Sequence, residues 1–110
     1  MTTSDSVIQA GDVGIVIERT IMERSATGVW AAKDVSAASA VVLRVRTPSG
    51  TLKNFDADFT TDGTDGKVRY VTDSSSDLDE AGHWQAQFRL TFAAGLQRTR
   101  KFHFDVGEPL

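Results

Sequence analysis

The side chains with the widest chemical reach in this sequence are two histidines, His83 and His103, and two groups of loop carboxylates. Paired histidines suggest a metal centre or acid–base work, because imidazole titrates near neutrality and ligates transition metals. Pairing the two C-terminal apolar patterns with Phe92 opposite Arg98 sets His83 against Gly107 and His103 against Gln87, on outward faces. At that separation one metal would need a third ligand from elsewhere, so both histidines are expected to be solvated sheet residues. Asp56, Asp58, Asp62 and Asp65 form one carboxylate group, and Asp73, Asp77, Asp79 and Glu80 the other. Neither matches a calcium loop with its central glycine and terminal glutamate, and turn chemistry accounts for both. Glycosidase chemistry needs two carboxylates flanking a cleft, and a small sandwich spends its interior on packing. Ser74, Ser75 and Ser76 have no adjacent base, and no glycine-rich loop precedes a helix to cradle phosphate. With no cysteine in the chain, disulfides, zinc–thiolate sites, iron–sulfur clusters and thiol nucleophiles are all excluded. The expectation is a protein that is not an enzyme and uses neither cofactor nor metal.

What must position these residues is one small domain. The chain has 110 residues, 40% of them hydrophobic and 25% charged, a globular composition that argues against disorder and leaves room for a single core. A net charge of −3, from 12 basic and 15 acidic side chains, argues against a dedicated nucleic-acid binder. Apolar runs extend over only a few residues, far below the ~20 that span a bilayer, and the first residues lack a basic signal region. No membrane association or secretion is expected.

The periodicity is that of strands. Val13, Ile15 and Ile17 share one face of an extended segment from Asp12 to Ile21. A polar bend from Glu23 to Gly28 leads to a short extended piece at Val29–Ala32, then to a small-residue run, Asp34 to Ala40, that is also compatible with a helical turn. Val41, Leu43 and Val45 alternate with Val42, Arg44 and Arg46 before the turn Pro48-Ser49-Gly50. Leu52 to Phe59 and Lys67 to Thr72 read as strands separated by two Asp-Gly dipeptides, which suit left-handed turn geometry. The polar stretch Asp73–Gly82 is expected to cross the end of the fold as a solvated loop or one helical turn, with Leu78 as a plug into the core.

The C-terminal hairpin carries the clearest pattern. Trp84, Ala86, Phe88 and Leu90 alternate with polar residues, as do Phe102, Phe104 and Val106, across a turn expected around Ala94-Gly95-Leu96. The register that places Phe92 opposite Arg98 pairs Phe88 with Phe102, Ala86 with Phe104 and Trp84 with Val106, and leaves Arg100 opposite Leu90 at the rim. About seven strands at short spacing predict an all-β, Ig-like antiparallel β-sandwich spanning residues 12–110, preceded by a flexible N-terminal arm, residues 1–11.

The stretch from Phe59 to Tyr70, followed by Asp77 to Gln87, resembles small Ig-like proteins of tailed bacteriophages. These are often grouped with the N-terminal domain of the phage baseplate upper protein family. The resemblance extends to Gly11–Gly14, to Arg44–Gly50 and to Phe102–Val106, and so covers most of the chain. It implies a structural protein of a tailed-phage virion, assembled in the host cytoplasm and used for capsid decoration, at the neck or in the tail or baseplate. The partners it implies are other virion proteins and further copies of the same chain, with no nucleic acid and no membrane. It supplies no catalytic residues. Members of the baseplate family continue into a long second region, so a stand-alone decorating or joining subunit is expected here. Where an Ig-type F strand opens, Trp84 occupies the place where tyrosine is commoner, and its indole N–H needs a partner such as a loop carbonyl.

Two surfaces are candidates for protein contacts. Arg44, Arg46, Arg89 and Lys101 would share an outward sheet face, with the acid concentrated at a loop end formed by 56–65 and 73–80. Val7 and Ile8 in the N-terminal arm could anchor an added strand on a neighbour's open edge. The alternative is a carbohydrate- or receptor-binding Ig-like module for host adsorption, for which Trp30 is the aromatic candidate.

Overall fold

Nine β-strands and no helix make up residues 8–110, the part of the chain described by the computed structural model. They are β1 (Val16–Thr20), β2 (Met22–Arg24), β3 (Trp30–Ala32), β4 (Ala40–Arg46), β5 (Leu52–Phe59), β6 (Lys67–Val71), β7 (Gly82–Phe92), β8 (Gly95–Arg98) and β9 (Phe102–Val106). Seven of them join in one sheet of order β1-β6-β5-β4-β7, with β8 and β9 both paired to the far side of β7. Strands β2 and β3 form a separate hairpin, and every strand pairing is antiparallel. The sheet curls until its two ends meet: the Arg19 guanidinium on β1 lies 4.1 Å from the centroid of the Phe102 ring on β9. The result is an all-β, sandwich-like fold.

Alternation along the strands decides which side faces in. Val41, Leu43 and Val45 on β4 pair with Leu90, Phe88 and Ala86 on β7, and all six are buried. Val68, Ile17 and Val106 join them, together with Val35 and Leu78 from loops. Each fully buried large side chain contributes roughly 1.5–3 kcal/mol of transfer free energy, so Trp84, Phe88, Leu43 and Leu78 dominate. Leu78 is the plug its apolar character within a polar loop predicted. The indole Nε1–H of Trp84 donates to the Glu80 carbonyl at 2.9 Å, the loop carbonyl anticipated for it.

Both Asp-Gly dipeptides turn the chain through left-handed geometry, at Gly63 (φ 86°) and Gly66 (φ 76°). A Cβ on Gly66 would lie 2.7 Å from the Lys33 carbonyl oxygen and 2.8 Å from that of Ile21, so this turn also needs glycine for close approach.

Several boundaries differ from expectation. The first strand begins at Val16, because Gly14 (φ 82°) bends the chain and leaves Val13 exposed. The Thr72 hydroxyl holds the bend, accepting the Ile15 N–H at 3.0 Å. In the C-terminal hairpin Ala86 pairs with Phe102, Trp84 with Phe104 and Gly82 with Val106, a register two residues from the expected one. A shift of two keeps every side chain on its face: the expected neighbours Phe88 and Phe102 still stack, and the true register adds a Trp84–Phe104 stack, each with centroids 5.9 Å apart. The turn is Ala93-Ala94, between the paired Phe92 and Gly95. The register along β8 differs by one from that along β9, so Arg100 and Lys101 together face Gln87 in a β-bulge. Thr99 pins it: its Oγ1 accepts the Phe88 N–H at 3.1 Å, and its carbonyl accepts from Gln87 Nε2 at 2.8 Å. The bulge frees Arg100 from the inward position opposite Leu90, and it is exposed.

Residues 8–11 are tied to the domain. Gln9 bridges Gly107 in parallel, the Gly107 N–H donates to the Ile8 carbonyl at 2.8 Å, and the Ile8 side chain packs against the core. Val7 lies outside the described residues.

Candidate functional site

The strand alternation that builds the core also builds its reverse side. On the outward face, Arg44 and Arg46 of β4 pair with Gln87 and Gln85 of β7, and Lys101 reaches the same place from the bulge. These residues line a shallow depression of about 200 Å³ whose floor is the paired backbones of β4 and β7 and whose far wall is Leu52. Arg89 stands on the same face one pair beyond, opposite Val42 on β4 and opposite Arg98 on β8. The four cations expected on one face therefore do share it, and Arg98 joins them.

Their electrostatics are unbalanced. The ion pairs among the described residues are Lys33–Glu23 and Lys53–Asp79, joined by His83–Asp105 when that imidazole is protonated, and none of them uses a cation of this face. Arg89 and Arg98 are directly opposed like charges, an unfavourable cross-strand pair. The Nε of Arg89 is buried and has no hydrogen-bond partner among the described residues. Leaving a buried donor unsatisfied costs about 1–3 kcal/mol.

The acidic loops fall at opposite ends of the molecule, a correction to the single acidic end expected. Strands β5 and β6 run antiparallel, so the loop between them (60–66) and the loop after β6 (72–81) leave opposite ends of the sheet. The hydroxyl and then the backbone N–H of Ser36 hold the Asp34 carboxyl below its ordinary value; those of Thr64 do the same for Asp62. Each is a self-contained turn, with the aspartate accepting from residues two positions on.

The histidines meet, contrary to expectation. With the true register His83 faces Asp105, and His103 sits at the adjacent pair opposite Gln85. His83 Nδ1 lies 2.8 Å from Asp105 Oδ1, and His83 Nε2 lies 3.1 Å from His103 Nδ1, both within hydrogen-bond distance. The rings stack with centroids 4.9 Å apart. The two-residue register error hid this contact, since it moved each histidine away from the other by one pair. No three His, Cys, Asp or Glu side chains converge on a metal position among the described residues.

A larger concavity opens along the seam where the sheet curls back on itself, and no spacing in the sequence signals it. It encloses about 650 Å³ between β1 with the β2–β3 hairpin on one side and β7, β8 and β9 on the other. Trp30 stands at its mouth, 59% exposed, on the two-stranded hairpin. The chain matches no family model, no curated protein and no solved structure.

Proposed function

We propose that this chain is a non-enzymatic structural subunit of a tailed-bacteriophage virion, acting through protein–protein contacts made by its cationic sheet face. The observation that carries the reading is the arrangement of Arg44, Arg46, Arg89, Arg98 and Lys101 on one face without ion pairs among the described residues. An opposed arginine pair is unfavourable in the isolated chain, and a carboxylate-bearing neighbour docked on this face would offset the repulsion. The virion setting comes from the resemblance to phage Ig-like proteins, and the partners it suggests are other virion proteins and further copies of this chain.

The test is the double reversal Arg44→Glu with Arg89→Glu, followed by purification of assembled particles. Loss of the subunit from the particle, with the variant's melting curve intact, is the expected result; undiminished incorporation rejects the reading. A second reading, a module that binds a host glycan or receptor, is favoured by one observation, the exposure of Trp30. Retained particle incorporation with lost adsorption on Trp30→Ala would select it.

A further inference from the structure

The seam concavity has the chemistry of a binding cleft for an amphipathic anionic chain. Its floor is apolar: Val35 and Leu90 are buried, while Phe92 and Phe102 are half-buried and open into it. Its rim is cationic, formed by Arg19, Lys33, Arg98, Arg100 and Lys101, against the single carboxylate of Glu23. Glu23 is engaged by Lys33 at 3.9 Å, and Arg19 lies over Phe102. Arg98, Arg100 and Lys101 thus form a run on the β8–β9 side with no ion pair among the described residues. A volume of about 650 Å³ falls within the range of ligand sites, and the exposed indole of Trp30 adds an aromatic wall.

The backbone beside the cleft is also open. β8 ends the sheet, all four of its residues are exposed, and its outer edge makes no backbone hydrogen bond among the described residues. A free strand edge binds an extended chain by main-chain hydrogen bonds, while alternate side chains enter pockets. Here the alternate side chains would meet an apolar floor and those between them a row of cations.

We infer that this cleft docks an extended acidic segment of a neighbouring protein, laid along the β8 edge, with a large apolar side chain on the Leu90–Phe92–Phe102 floor and carboxylates at Arg98, Arg100 and Lys101. The inference rests on the assembly reading above and names the chemistry of a partner for a second surface, which borders the outer face at Arg98 and Lys101. A second copy bringing the same edge would bring the same cations, so the charge selects a foreign acidic strand over self-pairing.

The probe is a dye-labelled, N-acetylated eight-residue peptide alternating aspartate and phenylalanine, titrated into the full chain by fluorescence anisotropy, with the lysine–phenylalanine peptide as control. The acidic peptide is expected to bind, the basic one not. Affinity should fall at least tenfold in Arg100→Glu, the unpaired rim cation that belongs to the cleft and not to the outer face, fall in Trp30→Ala, and weaken with salt, because the rim charges are exposed. No binding of the acidic peptide, equal binding of both peptides, or an undiminished affinity in the rim variant overturns the inference. So does binding that appears only after removal of residues 1–7, which would assign the cleft to the chain's own N-terminal segment. The outer-face variant Arg44→Glu, Arg89→Glu should keep peptide binding. Failure of the cleft and failure of the particle-assembly reading are therefore read on different variants.

Discussion

Tyr70 and Asp77 show how much one buried contact does in this fold. The Tyr70 hydroxyl donates to Asp77 Oδ2, and the same oxygen accepts the Asp73 N–H at 3.1 Å. Burial by itself would raise the Asp77 carboxyl, but the Tyr70 hydroxyl and the backbone N–H groups of Asp73 and Ser74 outweigh it and hold the carboxyl below its ordinary value. Burial, then the Asp77 hydrogen bond and charge, push the Tyr70 hydroxyl upward, so it stays protonated as the donor. A depressed carboxyl contributes stability above the unfolded-state value of about 4, and that stability is lost as pH falls through the folded value. The melting temperature should therefore hold from neutral pH to about pH 5 and drop below about pH 4, with a shallower acid drop in Asp77→Asn. At pH 7 that variant should lose about 1–3 kcal/mol, read by thermal denaturation, since it leaves buried donors poorly satisfied. An acid limb identical to the parent's would remove Asp77 from this role. The Leu78 plug and the need of Trp84 for a carbonyl were legible because each is one residue at odds with its surroundings. The Tyr70–Asp77 bond was not, since neither a period nor a motif links a strand residue to a loop carboxylate seven positions on.

Elements are pinned by a few backbone positions, and their consequences can be ranked. Gly66 receives Ile21 through an N–H to carbonyl bond of 2.7 Å, and Ile21 in turn accepts from Lys33 at 2.8 Å, so one turn ties β1, β3 and β6 together. Gly66→Ala meets both a positive φ and two backbone oxygens closer than 3 Å, neither of which is a flexible side-chain tip. Gly14→Ala meets the positive φ alone, with nothing within 4 Å of the added Cβ. A non-glycine residue at positive φ costs about 1–2 kcal/mol, so Gly14→Ala should lower the melting temperature by several degrees. Gly66→Ala should lower it further, and equal shifts would show that the close approach at Gly66 is relieved at no cost. Strand identity was legible at this scale: β5 runs from Leu52 to Phe59, the limits its alternation predicts. The register of the C-terminal hairpin was not, because a shift of two conserves the in-and-out pattern on which sequence reading depends. The bulge at Arg100 and Lys101 left one trace, a cation placed inward by any unbroken register, and that misfit was the signal for an inserted residue.

For the molecule as a whole, charge is distributed by topology and not by sequence neighbourhood. The chain extends 49 × 31 × 25 Å, with a radius of gyration of 15.0 Å against about 13 Å for a compact domain of this length. Its long shape separates the loop of Asp73–Glu80 from the seam cleft, because β7 runs from Gly82 beside that loop to Phe92 beside the cleft. A contact that joined two cationic faces by a two-fold axis would bring like charges together. A head-to-tail contact, cation face to acidic loop, would avoid that repulsion, and contacts of this kind close into rings or run on as filaments according to their rotation. Open sheet edges need protection from pairing with themselves, and at β8 the sequence supplies it with Arg98 and, one bulge later, Arg100 and Lys101. The Arg98→Ala, Arg100→Ala variant removes that repulsion while leaving Leu96 exposed on the edge. Its mass by light scattering should rise with protein concentration, above that of the parent chain at the same concentration and low salt. Raising salt should bring the parent toward the variant, since at 1 M the screening length is only about 3 Å. A variant mass indistinguishable from the parent's at every salt concentration would mean that the cations at this edge do not keep copies apart.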